Sequence, residues 1–179
     1  MERKQLCAGE ICSQLEGRRL PKWAELPDFE LYMDQVIAFV GRCLDSGRAG
    51  EEHQLTSSMV NNYVKMGAMP PPVKKRYART HLAHLLVICA LKQVMPIAAI
   101  CALIKQELEG SSEEAFYAFF CQAYADAGAA AGAHAAGLDA QTDARQLHQA
   151  ALSAALRAQA EQALATGLLN ALEDAETEK

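Results

Sequence analysis

Residues 55–82 read LTSSMVNNYVKMGAMPPPVKKRYARTHL, and the rest of the chain is organised around them. Thr56 is a good helix N-cap, and Gly67 is the residue type that most often follows a helix C-terminus. Between them Met59, Tyr63 and Met66 face one way, with Val60 beside them. Ser58, Asn61, Asn62 and Lys65 stand at i, i+3, i+4 and i+7 and form the opposite face. Pro70, Pro71 and Pro72 then stiffen the exit and deny the backbone its donors there. Lys74, Lys75, Arg76, Tyr77 and Arg79 make a short basic loop with one aromatic. Thr80 is read as the cap of the next helix.

A helix that is apolar on one side and small, polar and basic on the other can pack on a core and still touch a nucleic acid. An Asn amide can bond adenine with both ends, and Ser and Lys can take phosphates. Lys74, Lys75, Arg76 and Arg79 on the adjacent loop would grip the sugar–phosphate backbone, which orients a protein without reading sequence. The competing reading of the same residues is an exposed helix face beside a solvated charge cluster.

Charge distribution favours a division of labour. The net charge of -5 hides a stretch from Gln54 to Gln106 with no acidic residue, whose charges are Lys65, Lys74, Lys75, Arg76, Arg79, Lys92 and Lys105. From Glu107 onward twelve acids face only Arg145, Arg157 and Lys179. A basic middle and an acidic tail suggest different partners for the two parts.

Working outward, residues 6–17 form a weakly patterned short helix. Two Leu-Pro pairs in LPKWAELPDFELY, starting at Leu20, hold off helix until after Pro27, and Trp23 anchors this strap on the core. Asp28 is read as the N-cap of an amphipathic helix with Phe29, Tyr32, Met33, Val36, Ile37, Val40 and Leu44 on one stripe. Residues 45–54 are a polar loop. The helix from His81 to about Met95 is apolar nearly all round and therefore central, with His81, His84 and Lys92 on a narrow solvent stripe. Pro96 starts the next helix, which ends at Glu109-Gly110-Ser111. Ser112 begins another, with Phe116, Phe119, Phe120 and Tyr124 toward the core. Residues 127–137 are almost only Ala and Gly, which fits either a close helix–helix approach or a hinged segment. The last helical stretch carries Leu147, Leu152, Leu156, Leu164, Leu168 and Leu172, a narrow stripe suited to pairing with another helix or a second copy.

Several classes have no support in the sequence. No Gly-rich phosphate loop, nucleophile elbow or H-E-x-x-H is present, so no enzyme is expected, and no cofactor. The six cysteines show no C-x-x-C spacing, and reduced thiols are expected rather than a metal site. The N-terminus lacks the apolar core of a secretory signal, and no apolar run is long enough to span a bilayer. A cytoplasmic protein is expected.

The order helix, helix ending in Gly, prolines, basic loop with Tyr, long helix, short helix resembles the winged helix-turn-helix of the MerR family. Val60-Asn61-Asn62-Tyr63 before Gly67, Met69-Pro70-Pro71 after it and Lys75-Arg76-Tyr77 closing the loop carry the likeness over residues 29–106. Asn61 stands where that family usually has a phosphate-gripping arginine, and the wing is shorter. LPKWAELPDFELYMDQV and TSSMVNNYVKMGAMPPPVKKRYARTHLAHLLVICALKQV look more closely like an uncharacterised bacterial family, a domain of unknown function with a MerR-like core.

These readings give an all-α protein: a strap at 1–27, a winged helix-turn-helix with a possible tiny β wing at 28–108, and an Ala-rich helical extension at 109–179. The expected function is a DNA-binding transcription regulator. Ser58, Asn61, Asn62 and Lys65 would face the groove of double-stranded DNA. Lys74, Lys75, Arg76 and Arg79 would contact phosphates, Tyr77 would hold the wing, and the C-terminal helices would make a homodimer. The alternative is a helical protein-interaction or dimerisation module that keeps the fold without binding DNA.

Overall fold

The computed structural model describes residues 8–44, 55–135, 138 and 142–177. The expected loop at 45–54 and Gly137 lie outside them. The chain is all-α: α1 (Ala8–Glu16), α2 (Met33–Leu44), α3 (Ser57–Lys65), α4 (Arg79–Leu91), α5 (Ile97–Gly110), α6 (Glu113–His134) and α7 (Ala144–Thr177), with one 3-10 turn at Trp23–Glu25. Among the described residues, extended pairing is limited to two isolated antiparallel bridges, Leu31–Tyr77 and Val73–Arg76.

Helix α4 is the hub. Every residue from His81 to Cys89 is buried, as an apolar sequence on all sides requires. Around it α2 contributes Val36 and Val40, α3 Val60 and Tyr63, α5 Ile100 and Ile104, and α6 Phe116 and Tyr117. Each fully buried aliphatic side chain is worth about 1.5–3 kcal/mol, so this shared core is what holds the shorter helices in place. The strap closes one side. Tyr117 donates its hydroxyl to the Pro21 carbonyl at 2.9 Å, and its ring lies 6.1 Å from that of Trp23.

The structure corrects several local expectations. Asp28 does not cap α2. Leu31 pairs with Tyr77 in extended conformation, with both backbone bonds at 2.9 Å, so the helix cannot begin until that bridge is passed. Tyr32 takes the N-cap position instead, its N–H donating to Gln35 Oε1. Phe29 and Tyr32 are consequently exposed rather than on the buried stripe. Thr80 does not cap α4 either. That helix starts at Arg79, and the Ala78 N–H donates to His81 Nδ1 at 2.9 Å. His81 and His84 are buried, not on a solvent stripe. On α6 the buried aromatics are Phe116 and Tyr117, while Phe119 is exposed.

The Ala/Gly stretch resolves in favour of close approach. Helix α6 runs unbroken to His134, and Gly128 and Gly132, one turn apart, face the end of α1. Helix α7 is different. Leu152, Leu156, Leu164, Leu168 and Leu172 are all exposed, and an apolar groove of about 980 Å³ lies between α7 and the α1–α6 pair. No helix among the described residues is long and apolar enough to cross a membrane.

Candidate nucleic-acid interface

The candidate surface starts on α3. Thr56 caps the helix, its Oγ1 accepting from the Met59 N–H at 3.3 Å. The other end closes on Gly67 with φ of +74°, a value glycine adopts without a Cβ penalty. Ala68 N–H bonds the Tyr63 carbonyl and Gly67 N–H bonds the Val64 carbonyl, the paired bonds of a Schellman motif. Both ends are therefore satisfied locally, and burial of Val60 and Tyr63 fixes which side faces in. Burial pushes the Tyr63 phenol up to about 12, so it stays neutral.

With that face fixed, Ser58, Asn61, Asn62 and Lys65 are all exposed together. Met66, expected to pack inward, is 45% exposed; its sulfur accepts a 3.4 Å hydrogen bond from Asn62 Nδ2. It sits at the C-cap, beyond the last turn that packs on the core.

After the prolines the backbone makes a tight reversal. Arg76 N–H bonds the Val73 carbonyl at 2.9 Å, and the two central residues, Lys74 and Lys75, have φ of +50° and +63°. Positive φ at both central positions is the type I′ turn, ordinarily made by Asn-Gly or Gly-Gly. Two lysines held there cost roughly 1–2 kcal/mol each in backbone strain. The result is a tight tip with both lysines exposed, and with Val73 and Arg76 exposed at its base.

The basic residues do not form one uniform cluster. Arg76 lies with its guanidinium carbon 5.0 Å from the centroid of the Tyr32 ring. Arg79, on α4, is only half-exposed; its guanidinium lies 5.7 Å from the Trp23 ring and its Nε is buried without a hydrogen bond. Arg79 thus belongs more to the strap than to the tip. Tyr77 is buried, its ring edge-on to His81 at 5.5 Å, and burial raises its phenol above the usual range. It anchors the base of the turn through the bridge to Leu31. His81 completes the anchor. Its Nδ1 accepts from Ala78, which leaves the proton of the neutral ring on Nε2, directed at the Pro71 carbonyl 3.4 Å away.

Residues 21–125 match a family model described as Domain of unknown function (DUF1836). The chain belongs to that family. The DUF1836 region takes in the strap from Pro21 on, α2, α3, the basic turn, the α4 hub and α5; α1 and α7 lie outside it. No curated protein and no solved structure gives a significant match to the chain.

Two residues of the DUF1836 region that shape this surface were not singled out as site residues in the sequence. Tyr32 reads there as one more position on an amphipathic stripe, and only its bridge neighbour Leu31 brings it opposite Arg76. Trp23 reads as a core anchor, which it is, but it also carries Arg79. The signal that was available is the Tyr32-to-Gln35 spacing, which matches an N-cap backbone and its N3 acceptor. Asp28 offered a more familiar cap and obscured it. Among the described residues no group of His, Cys, Asp and Glu is arranged to hold a metal ion.

Proposed function

We propose that this chain is a DNA-binding transcription regulator of the MerR-like winged helix-turn-helix type. In this reading α3 is the recognition helix and the Lys74–Lys75 turn is the wing. The observation that carries it is the strained lysine turn beside an acid-free helix. A chain that needed only a reversal would place Asn and Gly there; lysines at both strained positions put charge where a phosphate backbone can be met. Asn61 and Asn62 would read base edges, Ser58 and Lys65 would contact phosphates, and Arg76 would extend the backbone grip, while Arg79, expected there, lies against Trp23. Tyr77, being buried, would hold the wing rather than touch the DNA. The role is non-catalytic and cytoplasmic.

Fluorescence-anisotropy titration of mixed duplex fragments at low salt tests this. Wild type should bind, with affinity falling steeply as salt rises because phosphate contacts release counterions. The triple variant Lys74→Glu/Lys75→Glu/Arg76→Glu should lose that binding. Absence of wild-type binding, or equal binding by the triple variant, overturns the reading.

The exposed leucines of α7 favour a second reading, a helical interaction or dimerisation module. They are also where a homodimer would form if the DNA site is two-fold. A monomer by sedimentation equilibrium at high concentration would remove the homodimer and leave only a different partner for those leucines.

A further inference from the structure

Arg76 is the one basic side chain of the turn that is already held in place. Its guanidinium carbon sits 5.0 Å from the Tyr32 ring centroid, within cation–π range. Both side chains are exposed, Tyr32 at 50%. Among the described residues no carboxylate lies within ion-pair distance of Arg76. Its charge is therefore oriented by an aromatic ring and, among the described residues, is not paired with an acid.

The Tyr32 backbone is fixed from three directions. The Leu31–Tyr77 bridge sets the register of the extended segment, which puts Tyr32 across from Arg76. The Tyr32 N–H donates to Gln35 Oε1 at 2.9 Å. Its carbonyl accepts the first helical bond of α2, from Val36 N–H, at 2.9 Å. The ring therefore stands on a rigid corner between strand-like backbone and helix. Among the described residues no hydrogen bond or ion pair engages the Arg76 guanidinium beside that ring. Its five N–H donors keep the fork geometry that suits a phosphate.

We propose that Tyr32 is a positioning residue for a phosphate-binding Arg76, so that the two act as one unit of the nucleic-acid interface. This rests on the DNA-binding reading above and adds to it a residue outside the basic cluster. A free arginine must order its long side chain when it binds; Arg76 has done so beforehand, and the ordering cost falls on folding instead of on binding.

The test is DNA affinity against salt for wild type, Tyr32→Phe, Tyr32→Ala, Arg76→Lys, Arg76→Ala and the double Tyr32→Ala/Arg76→Ala. Circular dichroism and thermal melting of each variant check the fold. Tyr32→Phe keeps the ring and should bind as wild type. Tyr32→Ala and Arg76→Lys should each weaken binding about threefold, the scale of an exposed cation–π contact. The deciding readouts are the double-variant comparison and the salt slope. Each phosphate contact contributes roughly 0.9 to the slope, and Tyr32 carries no charge. Arg76→Ala should lower the slope by about one, Tyr32→Ala should lose its threefold with the slope unchanged because Arg76 still meets its phosphate, and the double variant should bind no more weakly than Arg76→Ala. Wild-type affinity in Tyr32→Ala, or losses that simply add in the double variant, overturns the proposal while leaving DNA binding intact. Absence of wild-type binding overturns the DNA reading itself, and this proposal with it.

Discussion

The Leu15 carbonyl oxygen lies so close to Gly128 that a Cβ at that position would stand 2.5 Å from it. A backbone oxygen cannot swing away as a side chain can. Gly128→Ala therefore sets about 1 kcal/mol of gained helix propensity against an overpacking cost of about 1–3 kcal/mol. A net loss of about 1 kcal/mol is expected as a lower urea midpoint. At Gly132 the close atoms belong to the Glu16 side chain, which can move, and at Gly167 nothing lies within 4 Å. Gly132→Ala should be close to neutral, and Gly167→Ala should raise stability or α7 helicity. Equal effects at all three positions would contradict the packing of α1 on α6.

The lysine turn gives a prediction in which stability and binding move in opposite directions. Lys74→Asn/Lys75→Gly relieves positive-φ strain at both residues, partly offset by the extra chain entropy of glycine. The variant should gain about 0.5–1 kcal/mol, seen as a higher melting temperature. DNA affinity should fall, because two ammonium groups are gone. A variant that melts lower would mean the turn is not of this type.

His84 is 3% exposed, and its Nε2 meets Glu113 Oε2 at 2.8 Å while Nδ1 has no hydrogen-bond partner among the described residues. This contact ties the hub helix to the start of α6. Glu113→Ala strips the imidazole of its remaining partner, and a buried polar group left unmatched costs about 1–3 kcal/mol. Glu113→Gln keeps an accepting oxygen and should cost clearly less. Urea unfolding of the two variants separates them, and equal losses would show that the contact does not contribute.

Buried acids of the core give a defined alkaline response. Burial pushes the Cys89 thiol up to about 11 from an ordinary 9.0, and Tyr63 up to about 12 from 10.0. The unfolded chain loses these protons first, so between about pH 9 and pH 12 the folded state binds more protons and stability falls as pH rises. Below pH 9 neither group should contribute a slope. Cys89→Ala should flatten the portion between pH 9 and 11 in melting experiments, whatever its effect at neutral pH. The same burial should make Cys89 slow to react with thiol reagents in the native state. Rapid labelling at pH 8 would contradict its place in the core.

Legibility differed element by element. The apolar run from Leu82 to Leu91 declares a central helix, because a helix apolar on all sides has no stable place at a surface. Thr56, Gly67 and Ser112 mark helix ends from sequence, since caps act within a few residues of themselves. Tyr77 and Tyr32 were harder. Whether a Tyr in an exposed-looking loop is buried, or one on an apolar stripe is exposed, depends on a bridge between Leu31 and Tyr77 that no local pattern announces. His81 and His84 read as a polar stripe because nothing local to an apolar helix shows the partners that let a histidine be buried. Their burial is offset by partners at Ala78 and Glu113, one local and one from a distant helix.

The sequence alone therefore settled the helical class, the hub, the exposed face of α3 and the basic character of the turn. These follow from periodicity, caps and charge, which are short-range quantities. The tertiary structure alone decided that the two lysines occupy left-handed backbone and that Arg76 rests on Tyr32 while Arg79 turns back toward Trp23. It also decided that Gly128 admits α1. Each of these depends on segments far apart in the chain being brought together by burial of a common core, and the energy that does this is spread over many side chains rather than written at any one of them.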